Sequence, residues 1–267
     1  MEEEFQIFST IRWDPNLLNA PQAGYRDVGW NQSPSPIYML DFHRDRMLRA
    51  AQHWGWERGV DTLAGDQGLR TFEAFLRKEA EHANSKGPLR VKALLNKDGS
   101  LGVIIADTPP VSLERLFPSS LSTELLDGPG FTVEIDNTST TRSPFTHYKT
   151  TSRRMYDEAR TRSRAVAAGP GEVLLVNADD GSVMEGSITT PYFWRNNRWV
   201  TPPVSRDFST KVGSGGNSGT TRRWALERNL VAEKTILANS IVDGERIWLS
   251  NGLKGFFHGT MKLGNES

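Results

Sequence analysis

Three stretches of this chain fold back on turn dipeptides that leave little choice of local structure. Leu89 to Asp107 alternates apolar and polar residues about Asp98-Gly99, Leu174 to Ile188 sets two apolar runs around Asp180-Gly181, and Tyr192 to Val200 reverses at Asn196-Asn197. Residues that tolerate a positive φ, placed between two strand-like runs, specify tight β-hairpins. A chain punctuated in this way is committed to antiparallel sheet, most of it in the second half.

Helical periodicity fills the intervals. Leu40 opens a helix that Asp41 can cap, with Met47, Leu48, Ala51 and Trp54 on one face, and Leu69 to Ala83 forms a second with Phe72, Phe75 and Leu76 inward. A third runs from Ser152 to Ala168 and is closed by Gly169-Pro170. Phe5 to Trp13 and Phe131 to Ile135 read as further strands, and Asn16 to Pro36 as a surface loop long enough to suspect a lid or mobile edge. The expected fold class is therefore mixed α/β (α+β) in two domains: a small N-terminal α+β domain over 1–118, a Ser/Leu/Gly-Pro-Gly linker over 119–130, and a larger strand-rich domain over 131–267.

Composition narrows the function by exclusion. Lysine plus arginine and aspartate plus glutamate number 32 each, so no basic excess points to nucleic acid. Zero cysteines exclude disulfides, thiol nucleophiles and Cys-based metal sites, and the five histidines show no metal-ligand spacing. No run is long enough for a membrane span, and the Met-Glu-Glu-Glu start is unlike a signal peptide, so a cytoplasmic protein without membrane attachment is expected.

The chemistry is expected around Phe145-Thr146-His147-Tyr148-Lys149-Thr150-Thr151-Ser152-Arg153, where an extended segment gives way to a helix. A lysine amine in a partly desolvated place condenses with an aldehyde to a Schiff base and then moves protons. Alone, Lys149 is as well read as a solvated surface charge. Three later stretches give it context: Glu185 ending the second strand of the Asp180-Gly181 hairpin, Gly213 to Thr221 running into a helix start suited to an anion, and the turn at Asn251-Gly252. Singly, each also has a plain reading as a strand end, a connector or a turn. His147, two before Lys149, shares its face if the segment is extended, with packing as the simpler role.

As an ordered set, these residues resemble the fold type IV pyridoxal-phosphate enzymes (class IV aminotransferase family), whose D-amino-acid aminotransferase-like fold has two domains. The lysine segment and Met184-Glu185-Gly186-Ser187-Ile188-Thr189 look most like the fungal 4-amino-4-deoxychorismate lyases. Phe5 to Pro15, Leu40-Asp41 to Met47, Trp199 to Pro202, Gly219-Thr220 and Asn251-Gly252 extend the likeness over most of the chain. The resemblance implies that Lys149 carries pyridoxal 5'-phosphate and acts as general base, and that Glu185 faces the pyridine nitrogen. Arg46, Arg153, Gly219, Thr220, Thr221, Asn251 and Gly252 are implied as cofactor-binding, Arg12 as substrate-binding and Thr10 as a proton donor. It further implies a small-molecule amino substrate and a homodimer. The reaction expected is cleavage of aminodeoxychorismate to p-aminobenzoate and pyruvate, with an aminotransferase of the same fold as the alternative. One departure stands out, because Thr189-Thr190-Pro191 follows the Glu185 motif where such proteins often carry asparagine, which leaves the hydrogen bonding past Glu185 open. The Gly/Ser-rich loop before Gly219 is also expected to be disordered without cofactor.

Overall fold

A computed structural model of the 267-residue chain describes residues 4–25, 34–123 and 130–264. Two compact units emerge, 1–117 with 148–152 and 252–255, and 118–147 with 153–251 and 256–267. The expected boundary near 118 is close to the first break, but the Lys149 segment and the Gly252 turn belong with the first unit rather than with the C-terminal domain.

In the first unit, β1 (Ile7–Trp13) is followed by a 3-10 turn (Pro15–Asn19) and the helices α1 (Leu40–His53), α2 (Glu57–Leu63) and α3 (Gly65–His82). The hairpin β2 (Leu89–Leu95) and β3 (Leu101–Asp107) and a short α4 (Leu113–Leu116) complete it. The three strands form an antiparallel sheet in the order β1-β2-β3, with Gly99 at φ 84 in the tight turn. Gly68, Phe72, Leu76 and Ala80 of α3 are buried at i+4 spacing, a stripe on a helix that packs against α1, α2 and β2, with Gly68 set close against the Leu63 backbone. Phe75, expected inward with them, is half-buried, and α2 was not expected. Helix α1 starts on Met39 in a left-handed conformation (φ 49) instead of on an Asp41 cap. Asp41 lies in the first turn, where a carboxylate complements the helix dipole.

The outer edge of β1 is closed by separate segments instead of one neighbouring strand. Phe8 N–H donates to the Lys149 carbonyl at 3.0 Å, and Ile7 bridges Thr150. Arg12 N–H donates to the Gly252 carbonyl at 3.2 Å, and Trp13 bridges Ile37.

The second unit holds β4 (Phe131–Ile135), α5 (Pro144–His147), α6 (Arg154–Arg162), α7 (Arg164–Ala168), β5 (Gly171–Val176), β6 (Val183–Gly186), β7 (Thr190–Arg195), β8 (Arg198–Thr201), α8 (Thr220–Glu227), β9 (Ala232–Glu233), a 3-10 turn (Ala238–Ser240), β10 (Arg246–Asn251) and most of β11 (Gly255–Met261). Its eight strands run in the order β6-β5-β4-β11-β10-β7-β8-β9, parallel where β4 meets β5 and β11, antiparallel at the hairpins. Val133, Leu174, Phe193, Ile247, Leu249 and Phe257 fill one core cluster. Asn196 and Asn197 both take positive φ (53 and 58), the conformation that lets a two-residue turn match strand twist.

Local expectations are corrected in three places. The single helix read over Ser152–Ala168 is two, because the Ser163 hydroxyl donates to Glu134 Oε2 and accepts from Val166 N–H, stopping α6 and capping α7. His147 ends the short helix α5 instead of lying on a strand, so it does not share Lys149's face by strand alternation. The linker is docked where it is described, since Trp199 Nε1 donates to the Leu121 carbonyl and Trp248 Nε1 to that of Ser122. The rest of the linker and the heart of the suspected lid, 124–129 and 26–33, lie outside the described residues. Among the described residues no helix is long and apolar enough to cross a membrane.

Candidate active site

Lys149 is built onto β1 as an edge partner of Phe8. Its Nζ lies 4.9 Å from the Phe8 ring centroid, and the side chain is half-buried rather than out in solvent. The backbone that carries it is fixed by its neighbour: Tyr148 is 5% exposed and packs on His53 and Trp54, at centroid distances of 4.5 and 5.3 Å. Thr151 and Gln6 exchange hydrogen bonds on the other side. Thr10, half-buried, shares Phe8's face of β1 by the two-residue alternation of a strand.

Arg46 reaches the opposite face. Its Nη2 donates to Ser9 Oγ at 2.5 Å, and Ser9 Oγ lies 2.7 Å from His43 Nδ1. His43 is fully buried, and burial first, then the charges of Arg46 and Lys149, hold its pKa well below the ordinary value. Gly252 lies against the same imidazole: a Cβ there would come within 2.6 Å of His43 Cε1.

Arg12 is a correction. It is fully buried and ion-paired with Asp14, and its Nη1 and Nη2 donate to the carbonyls of Leu253 and Pro109. A guanidinium so buried and engaged holds the strand end to neighbouring backbone instead of standing open to a substrate carboxylate.

In the second unit Glu185 is half-buried on β6, and one oxygen does defined work. Oε1 accepts from Tyr156 Oη at 2.5 Å and from Asn217 N–H at 2.9 Å. Burial, reinforced by Glu185, drives the Tyr156 pKa well up, so the phenol stays protonated and donates. Arg153 stacks over the Tyr156 ring at 5.3 Å, pairs with Asp157 and donates to the Ser187 carbonyl.

The segment after Glu185 is organised by a residue sequence reading did not single out. Glu172 on β5 is fully buried, and its carboxylate accepts from Val173 N–H, Ser187 N–H and Oγ, Ile188 N–H and Thr189 Oγ1. Its signal was present, as one acid opening an apolar strand. Tyr156 and Asn217 were missed as well; their polar ends are visible only once the helix and loop are folded.

The loop before α8 is packed into the second unit. Ser214, Gly215, Gly216 and Asn217 are buried, with Thr146 Oγ1 on the Gly215 carbonyl, Asn177 Nδ2 on that of Ser214 and Asn217 Nδ2 on that of His147. Gly219 then caps α8 without a side-chain acceptor, so the first N–H groups of the helix remain open to an anion. Thr220 Oγ1 is buried with no hydrogen-bond partner, and Thr221 Oγ1 joins Ser250 Oγ, which joins Tyr192 Oη, each at 2.7 Å. Asn251 Nδ2 donates to the Ile188 carbonyl at 3.3 Å.

A protein of Schizosaccharomyces pombe, provisionally named an aminodeoxychorismate lyase, is 27% identical over 235 residues, 86% of this chain and 87% of that one. The aminodeoxychorismate lyase of Saccharomyces cerevisiae is 32% identical over 132 residues, 45% of this chain and 34% of its own length. Among solved structures, a provisionally named amino-acid aminotransferase from Mesorhizobium loti superposes with a TM-score of 0.64 at 17% identity, covering 97% of this chain and all of that one, which speaks for the fold. The family model described as amino-transferase class IV matches residues 30–260, and the chain thus belongs to that family of pyridoxal-phosphate enzymes.

Proposed function

We propose that the chain is a pyridoxal-phosphate-dependent lyase that converts 4-amino-4-deoxychorismate to p-aminobenzoate and pyruvate. The observation that carries this reading is the similarity to the Schizosaccharomyces pombe protein, which spans most of both chains. The donor set suits the cofactor. An uncapped start of α8 with the orphaned, buried Thr220 hydroxyl matches a phosphate, and a carboxylate steadied by Tyr156 and Asn217 matches a protonated ring nitrogen.

In this reading Lys149 holds the cofactor through its amine, Glu185 holds the proton on the ring nitrogen, and Arg46, Gly219, Thr220, Thr221, Asn251 and Gly252 serve the phosphate end. When bound, the cofactor supplies an electron-withdrawing ring that steadies negative charge on the substrate carbon next to nitrogen. The Lys149 amine, once displaced by the substrate's, takes the proton from that carbon. The Phe8 ring, 4.9 Å from Nζ, marks the apolar wall beside which the amine stands. Thr10, on the Phe8 face, gives a proton to the departing enolpyruvyl oxygen. Arg153, with Arg12 already engaged, is the remaining arginine candidate for a substrate carboxylate, and the working unit is a homodimer.

The family's aminotransferase members supply the second reading, in which Lys149 would move the same proton onward and an added keto acid would take up the amino group. Absorption spectra of the protein and of Lys149→Ala, followed by a pyruvate assay on aminodeoxychorismate without added keto acid, test both. Lysine-dependent visible absorbance with pyruvate release supports the lyase. Amino exchange that needs a keto-acid acceptor selects the aminotransferase, and absorbance unaffected by Lys149→Ala removes Lys149 from the chemistry.

A further inference from the structure

We infer that His43 and Ser9 form a hydrogen-bonded relay that aims the Arg46 guanidinium at the cofactor's phosphate, with His43 a positioning residue on which both Arg46 and the Gly252 turn are registered. The inference rests on the assignment of Arg46 to the phosphate end made above.

The proton bookkeeping fixes the direction of the relay. Arg46 Nη2 can only donate, so Ser9 Oγ is its acceptor, at 2.5 Å. The same Nη2 also lies 3.5 Å from His43 Nδ1, and because it can only donate, a bare Nδ1 that accepts from the Ser9 hydroxyl 2.7 Å away, in the neutral Nε2–H imidazole, is the consistent arrangement. A second proton on His43 would turn both of Ser9's neighbours into donors and set a third positive charge beside Arg46 and Lys149. Burial and those two charges oppose that state, in agreement with the lowered pKa.

The other end of the ring sets the turn. Nε2 is buried without a hydrogen-bond partner, and a Cβ on Gly252 would lie 2.9 Å from it and 3.1 Å from the Thr10 carbonyl. Only glycine leaves the ring its place. Gly252 in turn accepts from Arg12 N–H on the edge of β1, so one side chain of α1 is in register with Ser9 on a strand face and with the turn at that strand's edge. Arg46 is 8% exposed and His43 and Ser9 are fully buried, so little room is left for the guanidinium to take another orientation. A preset guanidinium binds a phosphate without first losing side-chain freedom.

The test compares dissociation constants for pyridoxal 5'-phosphate and for pyridoxal, read from absorbance, in the wild-type protein and in Ser9→Ala, His43→Asn and His43→Leu. Pyridoxal lacks the phosphate, so a relay acting through Arg46 changes only the first constant. Ser9→Ala and His43→Leu are expected to weaken the phosphate ester about tenfold while leaving pyridoxal within about twofold. His43→Asn places an amide oxygen near the Nδ1 position to accept from Ser9, and is expected to return to within about threefold of wild type. Ser9→Ala with an unchanged ratio of the two constants, or with both weakened equally, overturns the relay. A wild-type protein that binds pyridoxal as tightly as its phosphate overturns the phosphate assignment itself, and the two failures are distinguishable.

Discussion

Replacing Glu172 by glutamine keeps shape and volume while removing one acceptor oxygen and the charge. The carboxylate takes three donors at Oε1 (Val173 N–H at 2.9 Å, Ser187 N–H at 3.0 Å and Ser187 Oγ at 2.5 Å) and two at Oε2 (Ile188 N–H at 3.2 Å and Thr189 Oγ1 at 2.7 Å). With the new amide nitrogen at the Oε1 position, two backbone N–H groups lose their acceptor. At Oε2 only Ile188 N–H does, since the Thr189 hydroxyl can turn and accept. The second placement therefore wins, and it leaves one part-buried donor unmet at about 1 kcal/mol and weakens three charge-assisted bonds at roughly 0.5–1 kcal/mol each. Arg160, 3.7 Å from Oε1, loses its counter-charge as well. A total near 3 kcal/mol is expected, a large share of the roughly 5–15 kcal/mol that holds such a fold. Urea denaturation should show the midpoint lowered by about 1 M with an unchanged slope. A loss below about 0.5 kcal/mol would mean that the donors of 187–189 find water or other acceptors, and would refute the view that Glu172 shapes the segment following Glu185.

Two further outcomes are expected. His43 has its folded pKa below the ordinary value of 6.5, so the unfolded chain takes up the proton first. Its contribution is complete above about pH 6.5 and is lost as pH falls below it; in urea titrations from pH 7 to 5, His43→Asn should flatten the stability slope by up to about 1.4 kcal/mol per pH unit, and parallel slopes would contradict this. Trp199→Phe and Trp248→Phe each remove an indole donor to the 118–123 segment, from the Leu121 and Ser122 carbonyls, at about 1 kcal/mol apiece. Limited proteolysis should then cut that segment faster, and unchanged cleavage in the double variant would show that it is held by packing alone.

Much of the fold was legible because its signals are local. Asp98-Gly99, Asp180-Gly181 and Asn196-Asn197 each carry a turn geometry that few other residues accept, and all three hairpins formed where those pairs stand. What was not legible depends on partners distant in sequence. Nothing near Arg12 says that the carbonyls of Pro109 and Leu253 will take up its donors, and nothing near Ser163 says that Glu134 will draw it out of a helix. The Gly213–Asn217 loop reads as flexible by composition, yet it is held by side chains from Thr146 and Asn177, tens of residues away. Lys149 and Glu185 stand in an ordered motif, whereas Tyr156, Asn217 and Glu172, which hold the surroundings of Glu185, carry no motif of their own.

The way β1 is closed bears on synthesis at the ribosome. The first unit is written in three instalments, 1–117, 148–152 and 252–255, so β1 cannot receive its last edge partner until residue 255 has left the exit tunnel. At about 10 residues per second, that interval is on the order of ten seconds after residue 117 has been added. Throughout it the nascent chain carries a strand with open N–H and C=O groups, a template for pairing with another polypeptide. A protein built this way completes its first unit only after residues 252–255 have been made.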